Sequence, residues 1–206
     1  MTGQGVFVAL EGGEGAGKST QTTLLRDWLH SSGRVVLVTH EPGDTPVGKQ
    51  LREILLGHET GELDPRTEVL LYAADRAEHV AAVVQPALAR GEVVITDRYI
   101  DSSLAYQGAG RALPVDEVER ISAWATNRLT PDLTVVLDIE PAVGLQRFDT
   151  PADRLESEPL AFHQRVREEF LTLASREPHR YLVVDASSPA EVVHNLIRTA
   201  VESLLP

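Results

Sequence analysis

Gly12-Gly13-Glu14-Gly15-Ala16-Gly17-Lys18-Ser19-Thr20 decides the fold. Its first eight residues match G-x-x-x-x-G-K-[ST], a loop whose backbone amides converge on phosphate oxygens. Its setting fits. The apolar run Val6 to Leu10 precedes it as a strand, and a helical pattern from Lys18 to Ser31, stopped at Gly33, follows it. The helix amino end adds partial positive charge, Lys18 can reach the β- and γ-phosphates, and the Ser19 hydroxyl suits a Mg²⁺ ligand. A flexible glycine-rich turn would explain the glycines but not the Lys-Ser pair that closes them.

Working outward, four more β-branched runs read as strands buried on both faces: Val35 to Thr39, Val93 to Thr96, Leu133 to Ile139 and Tyr181 to Val184. Helical patterns fall at Pro65 to Ala89, Val115 to Asn127, Leu160 to Ser175 and Pro189 to Leu204, with Pro86 expected to kink or split the first. Alternating strands and helices predict an α/β P-loop NTPase fold, a five-stranded parallel sheet with helices on both faces. Such sheets bind ligands at the carboxyl ends of their strands. The charged, proline-containing stretch from Phe148 to Pro159 reads as a mobile surface loop.

Composition narrows the partners. Against 31 acidic residues stand 19 Lys and Arg, a net charge of −12, which repels a polyanion and argues against nucleic-acid binding. With no cysteine, disulfides and thiolate metal sites are excluded and a reducing compartment is expected. The first residues lack a secretory signal and no run spans a membrane, so a cytoplasmic location is expected.

A P-loop serves switches, motors and kinases alike, so the acceptor side must discriminate. Asp97-Arg98-Tyr99 ends a strand. Asp97 sits where a carboxylate could hold Mg²⁺, and Arg98 offers a planar fork for phosphate. A surface Asp-Arg pair is the plain alternative. Ser102-Ser103-Leu104-Ala105-Tyr106-Gln107-Gly108 supplies hydroxyls, a phenol and an amide for a sugar and base, although either serine could instead cap a helix. Tyr72 and Arg76, four apart, share a helix face. By composition alone Tyr72 reads as core and Arg76 as a solvated end.

Together the P-loop opening at Glu11-Gly12, Glu41-Pro42-Gly43, Tyr72 to Arg76, Asp97 to Gly108, Pro131-Asp132-Leu133 and Asp153-Arg154-Leu155-Glu156 resemble bacterial thymidylate kinases, over about residues 5 to 185. The resemblance implies a single kinase domain over 1–206 with a lid at about 147–159, ATP and dTMP as substrates with Mg²⁺, and a homodimer packed through helices. It implies that Tyr72 stacks on thymine, Arg76 bonds its carbonyl, and Ser103 and Gln107 bond the base edge, with Ser102 beside them. Arg98 would bind the acceptor phosphate, Tyr106 the deoxyribose, and Glu14 the sugar 3′-hydroxyl. Glu41 would order the metal and phosphate region, with Arg52 near the same pocket.

Two departures from that family's pattern stand out. His40-Glu41-Pro42-Gly43-Asp44 replaces a common Arg-Glu-Pro-Gly-Gly. The lid is short and retains only Arg147 and Arg154 as candidates for the catalytic arginine. None of the seven histidines sits in a motif. A phosphate oxygen acceptor, already anionic, needs no strong base. The rival readings are a kinase for another monophosphate or a nucleoside, a GTPase-type switch and an inactive relative. Against the switch, no Asn-Lys-x-Asp occurs, and Asp97-Arg98-Tyr99-Ile100 stands where Asp-x-x-Gly would be wanted.

Overall fold

The computed structural model describes residues 5–147 and 153–205. Five strands form one parallel sheet in the order β2-β3-β1-β4-β5: β1 (Val6–Glu11), β2 (Val36–His40), β3 (Val93–Asp97), β4 (Leu133–Asp138) and β5 (Tyr181–Asp185). Successive residues alternate between two cores. Val8, Leu10, Ile95, Val135 and Leu137 pack on one face with Leu25 and Leu29 of α1 (Lys18–Ser31) and Ile197 and Val201 of α9 (Ala190–Glu202). Phe7, Ala9 and Val94 face the other way, against Val80, Val84, Ala87 and Tyr99, while Val136 joins Tyr106, Phe162 and Phe170. Burial on both faces is why β1, β3 and β4 read as unbroken apolar runs. The edge strands β2 and β5 were expected to be buried likewise but leave Val38 and Val183 exposed, since each has a neighbour on one side only.

Between β2 and β3 lie α2 (Pro46–Leu56), α3 (Pro65–His79), a π turn at Val80–Val84 and α4 (Gln85–Ala89). Pro86 follows directly on the π turn, where the Gln85 N–H donates to the Val80 carbonyl. His79, Val80, Val84 and Gln85 all keep right-handed helical angles, so the π turn absorbs the proline and the helical path is not cut in two. The unforeseen helix α2 starts at Thr45, whose hydroxyl accepts from the Gly48 amide at 2.8 Å, with Pro46 as its first residue.

After β3 come α5 (Ile100–Ser103), a π turn at Leu104–Gly110 and α6 (Val115–Ala125). After β4 come α7 (Pro141–Gly144), a 3₁₀ turn at Leu145–Arg147, and α8 (Leu160–Arg176). The expected surface loop over 148–159 falls partly on 148–152, outside the described residues. Residues 153–158 depart from that expectation. Leu155 is 7% exposed and packs with Tyr106, Phe162 and Phe170. The Asp153 carboxylate accepts from the amides of Leu155 and Glu156 at 2.8 and 2.9 Å, closing a turn.

Candidate active site

The register places Leu10, Asp97 and His40 side by side at the carboxyl edge of the three middle and edge strands. The chain leaving each delivers the P-loop, Arg98 and Glu41 to one cavity of about 560 Å³. The P-loop owes its path to glycine at two points. Gly12 has φ 135°, and a Cβ there would lie 2.5 Å from the Leu137 carbonyl oxygen; at Gly15 (φ 66°) it would lie 2.1 Å from the Gly144 oxygen.

Lys18 Nζ donates to the carbonyls of Gly12 at 3.1 Å and Gly13 at 3.0 Å. Arg98 Nη1 donates to the same Gly12 oxygen at 3.3 Å, so the two cations stand a few ångströms apart. Burial, then Arg98, lowers the Lys18 pKa from its ordinary value. Arg98 Nη2 pairs with Glu14 Oε1 at 2.7 Å, and the Tyr106 hydroxyl donates to that oxygen at 2.6 Å. Burial alone would raise the Glu14 carboxyl, but Arg98 and Lys18 outweigh it and hold it at about 2. The Arg98 guanidinium also lies 4.9 Å from the Tyr106 ring centre.

Arg98 has φ 69°, left-handed for a side chain that rarely adopts it. Its neighbours hold the bend: its N–H donates to Leu10 O, and Thr96 Oγ1 donates to its carbonyl. Beyond it the buried Glu11 carboxylate accepts from the amides of Tyr99 and Ser102 and from Ser102 Oγ, at 2.8, 3.1 and 2.6 Å. Burial and the Asp101 carboxylate raise the Glu11 pKa to about 8. Neither serine caps α5, the bland alternative for them. Ser102 Oγ also accepts from Arg98, and Ser103 Oγ accepts from Arg76.

Arg76 is no solvated end. It is 1% exposed, and burial is offset by Glu41 Oε2 at 2.6 Å, Ser103 Oγ at 3.1 Å and the Tyr99 carbonyl at 3.0 Å. Tyr72 is core and also lines the cavity, with its hydroxyl pKa raised chiefly by burial.

A histidine outside any motif completes the support. His79 Nδ1 lies 2.8 Å from Glu41 Oε1, and its Nε2 lies 2.6 Å from Thr39 Oγ1, which in turn donates to Asp44. Asp44, the added acid of this loop, thus ends a buried chain leading through Thr39 and His79 to Glu41 and Arg76. Beside it, burial and Glu41 push Asp75 up to about 6, although Asp75 Oδ1 accepts from the Gly43 amide.

The remaining expected residues divide. Ala16, Gly17, Ser19, Thr20, Arg52, Asp97 and Gln107 line the cavity, and Arg52 donates to the Pro42 carbonyl at 2.8 Å. Ser19 and Asp97 line the same cavity and offer only oxygen donors, the kind a hard cation takes while drawing its other ligands from phosphate and water. Arg147, at the rim, donates to Gly15 O at 2.9 Å. Arg154 is turned elsewhere: its Nε donates to Leu55 O at 2.8 Å, and its Nη2 lies 2.5 Å from Glu68. A buried carboxylate 0% exposed needs a cation more than the open rim does.

A phosphate-binding loop, two adjacent cations at its mouth and an aromatic slot beyond them define a P-loop kinase of small phosphorylated acceptors. A family profile described as thymidylate kinase matches residues 10–197. Thymidylate kinase of Clavibacter michiganensis subsp. michiganensis is 55% identical over 204 residues, covering 98% of this chain and 96% of that protein. The Deinococcus radiodurans thymidylate kinase is 52% identical over 200 residues, covering 96% and 97%. The crystal structure of Ehrlichia chaffeensis thymidylate kinase superposes with a TM-score of 0.81 at 28% identity, covering 97% of this chain and 100% of that one. The chain belongs to the thymidylate kinase family.

Proposed function

We propose a residue-level account of the reaction this chain carries as a member of that family, the transfer of the γ-phosphoryl group of ATP to dTMP, giving dTDP. The observation that supports it most is the shared Gly12 carbonyl. Lys18 and Arg98 reach the same oxygen from the donor and acceptor sides, so two phosphates bound to them would meet end to end. Phosphoryl transfer asks for alignment and charge compensation more than covalent help. Gly12 to Thr20 hold ATP on backbone amides, Lys18 follows the charge onto the transferred group, and Arg98 holds the dTMP phosphate in line. That phosphate needs no general base, being already anionic.

Glu14 occupies Arg98 before the acceptor arrives. We assign it to the sugar 3′-hydroxyl, with Tyr106 packing on the deoxyribose. Tyr72 stacks on thymine, Arg76 meets a ring carbonyl, and Ser102, Ser103 and Gln107 complete the base edge. The resemblance gives Glu41 to the metal and phosphate region, but its two oxygens meet Arg76 and His79, so we assign it instead to holding the Arg76 guanidinium in place, while Arg52 steadies the Pro42 loop. Mg²⁺ carried with ATP fits Ser19 and Asp97, where it would screen the β- and γ-phosphate charge. Arg147 is assigned as the lid arginine, on its contact with the P-loop, within a single domain whose lid spans about 147–159.

No helix among the described residues is long and apolar enough to cross a membrane. The net charge of −12 is what favours small nucleotides over nucleic acid as substrates, and we assign the enzyme to the cytoplasm. A homodimer is supported by exposed apolar side chains on adjacent helices. A coupled assay with ATP, Mg²⁺ and a panel of monophosphates tests the assignment. dTMP is expected to be turned over fastest, and a faster rate with another monophosphate overturns the acceptor reading.

A further inference from the structure

We propose that Glu68 sets which bases the acceptor site admits, by fixing which arm of the Gln107 amide faces the cavity; the inference rests on the acceptor reading above. Glu68 lies on α3 one turn before Tyr72 and is 0% exposed, and Gln107, in the π turn after α5, is 1% exposed. Gln107 Nε2 donates to Glu68 Oε1 at 2.8 Å. Arg154 stands 2.5 Å from the other carboxylate oxygen, and Arg111 bonds both oxygens at 3.4 Å. A carboxylate flanked by two guanidinium groups offers only acceptors, so the amide must present its NH₂ to it. The carbonyl oxygen Oε1 is then left for the cavity that Gln107 lines.

An acceptor aimed into the pocket selects a ring edge that shows a donor. The N3–H of thymine or uracil satisfies it. Cytosine presents a lone pair at N3, so acceptor would face acceptor in a desolvated site. Glu68 touches neither base in this scheme; it is a positioning residue, and cytosine is rejected through the amide it orients. The two arginines could be held by any carboxylate, but the direction of the Gln107 amide has a consequence that packing alone lacks.

Glu68→Gln reverses the polarity. Its carbonyl can still face Arg154 and Arg111, while its NH₂ now meets Gln107, which must turn its own carbonyl inward and show NH₂ to the pocket. The expected result is a drop of about 10²-fold in the ratio of kcat/KM for dTMP to that for dCMP, with KM for ATP unchanged. In a Gln107→Leu background the same substitution should leave that ratio unaltered. A folded Glu68→Gln enzyme whose ratio stays within about twofold of wild type overturns the inference. If that variant does not fold, a structure of the wild-type dTMP complex decides. Gln107 Oε1 about 3 Å from the ring N3, with Nε2 on Glu68, supports the inference, and N3 bonded elsewhere overturns it. Failure of wild type to convert dTMP would instead sink the acceptor reading itself.

Discussion

Arg98 is held on four sides: the Gly12 carbonyl, Ser102 Oγ, the Glu14 carboxylate and the face of Tyr106. A guanidinium so fixed before substrate arrives needs little ordering when phosphate binds. Arg98→Ala should cut kcat/KM for dTMP by about 10²-fold or more and leave KM for ATP nearly unchanged, read by steady-state kinetics; the reverse pattern would place it on the donor side. Its partner gives a pH prediction. Arg98 and Lys18 hold the folded Glu14 carboxyl at about 2, below its ordinary value of 4.5, so the unfolded chain binds more protons in between. The contribution is full above about pH 4.5 and fades as pH falls toward 2. Glu14→Gln should flatten that part of the urea-midpoint profile relative to wild type, removing a difference of order 3 kcal/mol at most. At this scale the sequence was legible where chemistry is contiguous, as in the P-loop and Asp97 to Gln107. It was opaque where contact is long-range. His79 meets Glu41 38 positions away and Glu68 meets Gln107 39 positions away, so neither role leaves a local pattern.

At the scale of elements, the strands agree with their apolar runs to within about a residue; β1, β3 and β4 are buried on both faces, whereas the edge strands β2 and β5 keep the β-branched run with one face partly open. Helix α2 went unseen although Thr45-Pro46 is a start signal; it has only 11 residues, and while Leu55 is buried, Val47 and Ile54 are 50% and 38% exposed, so apolar residues on both faces blur the period. The turn at 153–158 was hidden for a different reason: one leucine and one arginine anchor it, too few to make a period. That anchoring separates the two lid arginines. Arg147→Ala should slow single-turnover phosphoryl transfer by at least tenfold with little change in Tm. Arg154→Ala leaves Glu68 with Arg111 as its one cation, beside the Gln107 amide, and strips a charged partner from a buried carboxylate. It should cost about 2–3 kcal/mol, a Tm fall of several degrees by calorimetry, with a smaller effect on the transfer step. If Arg154→Ala slows transfer more than Arg147→Ala, the assignment of the lid arginine is wrong.

For the whole molecule, the question is what covers the outer surface of α3. That helix packs against both α2 and α6. The three expose Val47 and Ile54, Leu70, and Trp124, the last two at 58% and 84%. Copies carrying a net charge of −12 repel one another, so any self-association must draw on apolar burial. Two consequences follow from that balance. Screening the charge with salt should strengthen a dimer, whereas one held by ion pairs would weaken. Replacing the largest exposed ring should be costly, and Trp124→Glu is expected to raise the dimer dissociation constant at least thirtyfold, equivalent to about 2 kcal/mol. Because α3 also carries Glu68, Tyr72 and Arg76 on its buried side, loosening its outer face should raise KM for dTMP more than KM for ATP. Sedimentation velocity of wild type and variant at low and high salt, with kinetics on the same samples, measures all of this. A wild-type monomer at tens of micromolar, or a dimer that Trp124→Glu leaves intact, would place the self-contact elsewhere or remove it, and α3 would then be held by its own chain alone.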